Sequence, residues 1–229
     1  MAADGAEVID VGGESTRPGA APVAEAEELR RVLPVIERIR GLAAISIDTT
    51  KAAVAAAALS AGATIVNDVS GATLDPAMLS IVAERGAGII LMHRRGTPRT
   101  MNRLARYRNV TAEVKRFLSG RIEAALAAGI SHRAIAIDPG IGFAKTSRHN
   151  LILLAHVSEL ATLGFPVIVG VSRKRFLGSL LGPSARAEGT VAASLLAVAG
   201  GARGVRVHEV APMARALRVA QAIWAVAHG

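Results

Sequence analysis

Polar residues stand at the ends of short apolar runs in this chain, and their types sort into two chemistries. Asp48 closes Ser46-Ile47-Asp48-Thr49, Asn67 lies within Val66-Asn67-Asp68-Val69-Ser70-Gly71, and Asp138 opens Asp138-Pro139-Gly140. Two carboxylates that only accept, with an amide that both donates and accepts, suit a flat nitrogen heterocycle rich in N–H donors. A carboxylate takes two parallel hydrogen bonds from an amino-pyrimidine edge. Each aspartate has an alternative role as N-cap of the helix that follows it. Against that, Asp138 precedes Pro-Gly, and Asp48 sits in an apolar strand end, where an unpaired carboxylate is costly. The second set is cationic. Arg206 and His208 alternate with Val205 and Val207, so a strand there turns both to one face, and Lys174 follows Ser172-Arg173. Cations at strand ends beside glycines make an anion site for phosphate or pyrophosphate. Arg17 is expected to reach the same face, whereas Lys174 taken alone also suits a solvated surface.

The remaining candidates are weaker. His93 has no partner at metal-ligand spacing, and His132, His149, His156 and His228 fall in expected helices or loops, where they read as structural. No metal ligand is assigned. The basic stretch from Arg94-Arg95 to Arg108 reads as an exposed loop.

Elements able to bring these residues together follow from the hydrophobic pattern. Short apolar runs predict strands near 6–11, 44–48, 64–69, 87–93, 134–138, 166–171 and 204–208. Longer Ala/Leu-rich amphipathic runs predict helices near 22–40, 50–61, 76–85, 109–128, 148–163, 186–199 and 211–227. Strand and helix alternate, and the strands are continuously apolar, so the sheet should be parallel and covered on both faces. Thr49-Thr50 and Asp75-Pro76 read as helix starts. Gly62, Gly86, Gly129 and Gly164 read as helix C′ positions. About seven β/α units point to a TIM (β/α)8-type barrel one unit short; a doubly wound sheet remains possible, without a G-x-G-x-x-G or G-x-x-x-x-G-K-[ST] phosphate loop. In a parallel barrel all the strand C-termini converge on one face, where such enzymes place their chemistry.

Composition narrows the classes further. With 229 residues, 51% of them hydrophobic, one large aliphatic core fits, and a single domain over 1–229 is expected. The absence of cysteine excludes disulfides, thiolate catalysis and Cys-based zinc sites and accords with a cytoplasmic location. Met1-Ala2-Ala3-Asp4-Gly5 lacks the basic and apolar regions of a signal peptide, and the uncharged stretch from Gly189 to Ala202 is too short and Gly-rich to span a bilayer. The formal charge of +9 is scattered and stacking aromatics are scarce, which argues against nucleic acid and leaves room for a small anionic substrate.

In combination and in order, these segments resemble the dihydropteroate synthases, the pterin-binding barrel enzymes of folate biosynthesis. The carriers are Asp10-Val11-Gly12-Gly13-Glu14-Ser15-Thr16-Arg17-Pro18-Gly19, the Asp48 and Asn67 segments, and Leu91-Met92-His93. They continue with Asp138-Pro139-Gly140-Ile141-Gly142-Phe143, Gly170-Val171-Ser172-Arg173-Lys174-Arg175-Phe176-Leu177-Gly178, Glu188-Gly189-Thr190 and Val205-Arg206-Val207-His208-Glu209-Val210. The resemblance implies condensation of 6-hydroxymethyl-7,8-dihydropterin pyrophosphate with p-aminobenzoate. It implies that Asp48, Asn67, Asp138 and Lys174 hold the pterin with Met92 against its ring, and that Thr16, Arg206 and His208 bind pyrophosphate. Phe143, Ser172, Pro18 and Arg17 fall near the p-aminobenzoate and sulfonamide pocket, and Lys174, Asp138, Arg206 and His208 are the expected catalytic group. It further implies Mg2+ and a homodimer, for which the apolar helices around Val191 to Val198 and Ala216 to Trp224 are suited.

The family pattern opens with a strand and an Asn-Val-Thr-Pro-Asp-Ser-Phe-Ser-Asp-Gly-Gly-like loop, which carries the magnesium-linked Asn; this sequence shows neither. Met1-Ala2-Ala3-Asp4-Gly5-Ala6 is expected to be the tail of a first helix. A barrel truncated in this way has two unpaired edges, and a chain extended upstream is expected to be more soluble and more stable. Two other functional classes share the pterin constellation: the pterin-binding domain of a methyltetrahydrofolate methyltransferase, and a non-catalytic pterin-binding relative.

Overall fold

The computed structural model describes residues 1–182 and 186–227; His228 lies outside them. Seven strands and nine α-helices alternate among the described residues. The strands are β1 (Val8–Gly12), β2 (Ala44–Asp48), β3 (Ile65–Asp68), β4 (Gly88–Met92), β5 (Ile135–Asp138), β6 (Ile168–Val169) and β7 (Gly204–Val205). All pairings are parallel. β1 to β5 form one sheet in chain order, β6 pairs with β7, and an Ile137↔Val167 bridge joins the two groups. Consecutive parallel strands with helical crossovers are the architecture of a TIM-type barrel.

Each predicted strand is present, shorter at its ends. In the middle strands Ile65, Ile90, Ala136 and Ile168 are half-buried, whereas the intervening positions, on the face that packs under the helices, are fully buried: Ile45, Ile47, Val66, Ile89, Leu91, Ile135, Ile137, Val167 and Val169 are all at most 1% exposed. Each such aliphatic side chain stabilises the fold by roughly 1.5–3 kcal/mol relative to exposure.

The helices are α1 (Glu25–Ile39), α2 (Ala52–Ala61), α3 (Met78–Glu84), α4 (Val110–Ala127), α5 (Ser147–Ala155), α6 (Val157–Ala161), α7 (Arg175–Leu181), α8 (Arg186–Ala199) and α9 (Val210–Ala227). Two differ from the sequence expectation. The single helix expected over 148–163 is broken at His156, which has φ −116° and ψ 30° and ends α5 while preceding α6. α7 follows the Ser172-Arg173-Lys174 turn, where the apolar run was too short to register.

Helix starts are set by single side chains. Asn109 accepts from the Ala112 N–H at the start of α4, and Thr146 forms a capping box with His149 at the start of α5. Thr49-Thr50 do not cap α2; Asp75 does, accepting from the N–H of Ala52 at 2.8 Å and of Ala77 at 3.0 Å. One carboxylate thereby joins α2 to the loop that leads into α3. The four glycines expected at C′ positions all have positive φ.

The N-terminal segment is a 3-10 turn over Ala2–Asp4 that packs on α9. No helix of the described residues is long and apolar enough to cross a membrane.

Candidate active site

Strand register sets the site. Gly12, Asp48 and Asn67 are successive partners across β1, β2 and β3, and Met92 pairs with Asp138 across β4 and β5. The expected acceptors therefore come to one end of the sheet, at the C-termini of the strands.

At the centre is a residue that the sequence reading left without a role. Asp10, on β1, accepts from Asn67 Nδ2 at 3.0 Å and from Arg206 Nη1 at 3.0 Å. The same guanidinium donates through Nη2 to Asp138 Oδ2 at 3.1 Å, and Asp138 Oδ1 accepts from the Gly140 N–H at 2.7 Å. Asp10 repeats the signal that marked Asp48, a carboxylate inside an apolar strand, and could have been found by it.

These bonds leave two acceptors open. Asn67 is fully buried and gives its amide N–H to Asp10, which leaves Asn67 Oδ1 without a partner; Asp48 Oδ1 is likewise buried and unpartnered. A buried acceptor with no donor costs about 1–3 kcal/mol. Burial raises the Asp48 pKa, with the Asp10 charge adding to the rise and Arg206 opposing it, and the carboxyl titrates near 7.

Arg206 and His208 part company, which corrects the expectation of a shared strand face. β7 ends at Val205, so both lie beyond the strand. Arg206 turns into the carboxylates. Burial works against its charge, but Asp138, Asp10 and Asp48 more than compensate and its pKa rises. His208 instead meets Ser172, whose Oγ lies 2.8 Å from its Nδ1. The separate acidic and cationic ends expected from sequence are thus interleaved: one of the three cations is bound into the acidic group.

Lys174 sits between the two. Its Nζ is 4.5 Å above the Phe143 ring, and burial, with Arg206 adding, lowers its pKa to about 8 while Asp138 and Asp48 resist. Met92 and Phe143 join Val69, Met101 and Ala144 in a small apolar cluster that floors this region. Arg17 and Pro18 are exposed on the loop after β1, and Thr16 is half-buried there. Arg17 is close enough for its charge to depress the pKa of both Lys174 and His208.

That loop is clamped from below. Lys51 Nζ donates to Glu14 Oε2 at 2.6 Å and to Glu28 Oε2 at 2.5 Å, and the Glu28 side chain is only 1% exposed. The Val23 N–H also donates to Glu14 at 2.9 Å, and Arg31 reaches the Gly13 carbonyl. None of Lys51, Glu28 and Glu14 was singled out from sequence, because their partners are 23 to 37 residues apart.

The loop after β5 is held as tightly. Gly140 has φ +70°, and a Cβ there would fall 1.9 Å from the His93 carbonyl oxygen, so the close approach of β4 and β5 ends demands glycine. Buried Lys145 donates to the Phe143 carbonyl at 2.9 Å and lies 3.0 Å from His93 Nδ1. Burial drives the His93 pKa down to about 2 and that of Lys145 to about 7, so His93 is the neutral acceptor.

Three other histidines make local contacts: His132 stacks on Phe165, His149 is in the α5 cap and His156 pairs with Glu159. The 94–108 stretch is less exposed than expected. Arg95 pairs with Glu113 at 2.7 Å and lies over Tyr107, Met101 is buried, and the Gly19 N–H donates to the Pro98 carbonyl. Among the described residues no group of three or more His, Asp or Glu gathers to hold a metal.

The family model for the pterin binding enzymes matches residues 1–208. This chain belongs to that family, within the dihydropteroate synthases. The dihydropteroate synthase of Synechocystis is 48% identical over 98% of this chain and 79% of its own length. That of Mycobacterium leprae is 47% identical over 96% and 81%. Among solved structures, Xanthomonas albilineans dihydropteroate synthase with 4-aminobenzoic acid superposes with a TM-score of 0.92 at 48% identity, covering 98% of this chain and 81% of that one. Yersinia pestis dihydropteroate synthase in a sulfonamide drug complex gives 0.93 at 41%, over 97% and 82%.

Proposed function

We propose that this chain condenses 6-hydroxymethyl-7,8-dihydropterin pyrophosphate with p-aminobenzoate to give 7,8-dihydropteroate and pyrophosphate, as a dihydropteroate synthase of folate biosynthesis. The observation that carries the reading is the pair of buried, unpartnered acceptors, Asp48 Oδ1 and Asn67 Oδ1, on adjacent strands. A pterin offers N–H donors along one edge and satisfies both at once. Asp138 and Lys174 complete the pterin contacts, and Met92 lies under its ring.

The chemistry follows from charge. The bond between the methylene carbon and the pyrophosphate oxygen breaks; the oxygen keeps the electron pair and the carbon becomes electron-poor. Thr16, Arg17 and His208 stabilise the departing anion, with Arg206 holding the carboxylates behind it. The dihydropterin ring, oriented by Asp48 and Asp138, delocalises the positive character at carbon. The amine of p-aminobenzoate, placed by Phe143, Pro18 and Ser172, forms the new C–N bond, and its ammonium proton leaves to solvent. Fixed orientation supplies much of the gain, and no strong base is required.

The Mg2+ implied by the family resemblance finds no fitting cluster among the described residues. The unit acts in the cytoplasm on small molecules. It acts as a homodimer: Leu196, Val219 and Ile223 on α8 and α9 are 62–70% exposed and would be covered by a second copy. The functional test is pyrophosphate release from dihydropterin pyrophosphate with and without p-aminobenzoate. Release that depends on p-aminobenzoate is expected; a folded sample that binds the pterin yet never turns over would overturn the reading in favour of a binding-only relative.

A further inference from the structure

We propose that Ser172 is a positioning residue that fixes the tautomer of His208, so that the imidazole presents Nε2–H, and not a lone pair, to the leaving anion. The inference rests on the synthase reading only for what that anion is.

The assignment follows from what each atom is able to do. The His208 backbone N–H donates to Ser172 Oγ at 3.2 Å, and the same Oγ lies 2.8 Å from His208 Nδ1. A backbone N–H only donates, so Oγ accepts there; its one hydrogen meets no other acceptor among the described residues, and pointing it at Nδ1 is the arrangement that leaves neither that hydrogen nor the ring nitrogen unbonded. Nδ1 then accepts, and a neutral ring carries its proton on Nε2. One oxygen thus reads both the backbone and the side chain of His208.

A second tie runs beside the first. Arg173 Nη2 is 2.6 Å from Glu209 Oε1, so residues 172 and 173 bind 208 and 209 in matching order across the loops after β6 and β7. Arg173 has φ +55°, a conformation that a non-glycine residue keeps only where its surroundings enforce it. Its N–H donates to Thr190 Oγ1 on α8 at 3.1 Å, which supplies the enforcement. The strained turn delivers the Ser172 hydroxyl to the ring.

The surroundings favour the neutral ring. Burial, then Arg173, Arg17 and Lys174, depress the His208 pKa, and only Glu209 opposes them. No group among the described residues bonds Nε2, and the residue is exposed, so that N–H is open to a ligand. With the opposite tautomer, a lone pair would face the oxygens of pyrophosphate and repel them.

The experiment is a two-bond 1H–15N correlation spectrum of the full chain labelled at histidine, at neutral pH, with His208 assigned by loss of its signals in H208Q. The expected spectrum has Nδ1 unprotonated and Nε2 protonated. In S172A the ring nitrogens should shift toward a tautomer mixture, and kcat/KM for the pterin pyrophosphate should fall about ten-fold, the effect of one hydrogen bond to a charged group. S172T, which keeps the hydroxyl, should restore both. An Nδ1–H ring in the wild type, ring nitrogens unaltered in S172A, or shifted nitrogens with undiminished kcat/KM would each overturn the proposal. If S172A does not fold, the ring nitrogens and kcat/KM of S172G are read in its place, with the same outcomes expected, and an Nδ1–H ring in the wild type still overturns the proposal. The expected spectrum without any turnover counts against the synthase reading and not against the tautomer.

Discussion

The carboxylate side of the site and its cation side are built on opposite logics. Asp10 on β1, Asn67 on β3 and Asp138 on β5 are linked through hydrogen bonds in which Arg206, just past β7, joins the two aspartates, and two acceptors, Asn67 Oδ1 and Asp48 Oδ1 on β2, are left over beside them. On the loops after β1, β6 and β7, Arg17, Lys174 and His208 have no carboxylate ion-pair partner among the described residues; Arg17 lowers the proton affinity of both Lys174 and His208, and Lys174 lowers that of His208. The first side is strand-borne and donor-seeking; the second is loop-borne and anion-seeking. The difference teaches how one small site takes a substrate with two unlike ends. Strands supply the fixed shape for a flat ring, and loops supply charge where a group must arrive and depart.

Breaking the carboxylate side should cost most. Asp138→Asn removes the charge that faces Arg206 and the pterin, and kcat/KM for the pterin pyrophosphate should fall by about 10²–10³. The KM for p-aminobenzoate should change little in steady-state assays. A loss shared equally between the two substrates would erase the division between the sides.

Asp48 separates function from stability. Its folded pKa is raised, so the fold is fully stabilised below the ordinary carboxylate range and loses that contribution as pH rises through about 7. Asp48→Asn removes the loss. Thermal melts should show the variant more stable than wild type at pH 8, by on the order of 1–3 kcal/mol, and the gap should close toward pH 4. Turnover should be lost at the same time. A variant less stable at pH 8 would mean that the carboxylate is not strained.

Loosening the loops should cost catalysis least. Lys51→Met leaves buried Glu28 unpaired beneath the loop of Thr16 and Arg17. Part of its effect is global, about 3–5 kcal/mol for a broken buried pair. Lys51→Arg should recover much of the stability. In the folded arginine variant, the KM for the pyrophosphate substrate should still rise a few-fold through the displaced loop, an effect on the order of 1 kcal/mol.

Sequence carried the frame of this molecule and lost its cross-links. Every strand was legible because continuous aliphatic runs have no other place in a parallel sheet. Asp48, Asn67 and Asp138 were legible because polar groups at the ends of such runs are anomalous. Asp10 bore the same mark, but its meaning lies in contacts with Asn67 and Arg206, the latter 196 residues away. The expected alternation of Arg206 and His208 failed because β7 is two residues long, and beyond its end the period of two no longer applies. Nothing in the sequence sets Glu28 apart from the other acids around it, and only packing reveals that it is sealed under Gly13. Ser172 was legible as a polar residue at a strand end, but its hold on His208 depends on a loop conformation that composition does not specify.

A crystal structure of the chain with 6-hydroxymethyl-7,8-dihydropterin bound tests the central claim most directly. The account predicts pterin N–H groups within hydrogen-bond distance of Asp48 Oδ1 and Asn67 Oδ1, with the Asp10–Asn67 and Asp10–Arg206 bonds intact. A pterin seated elsewhere, or one that leaves those two oxygens unpartnered, would contradict it.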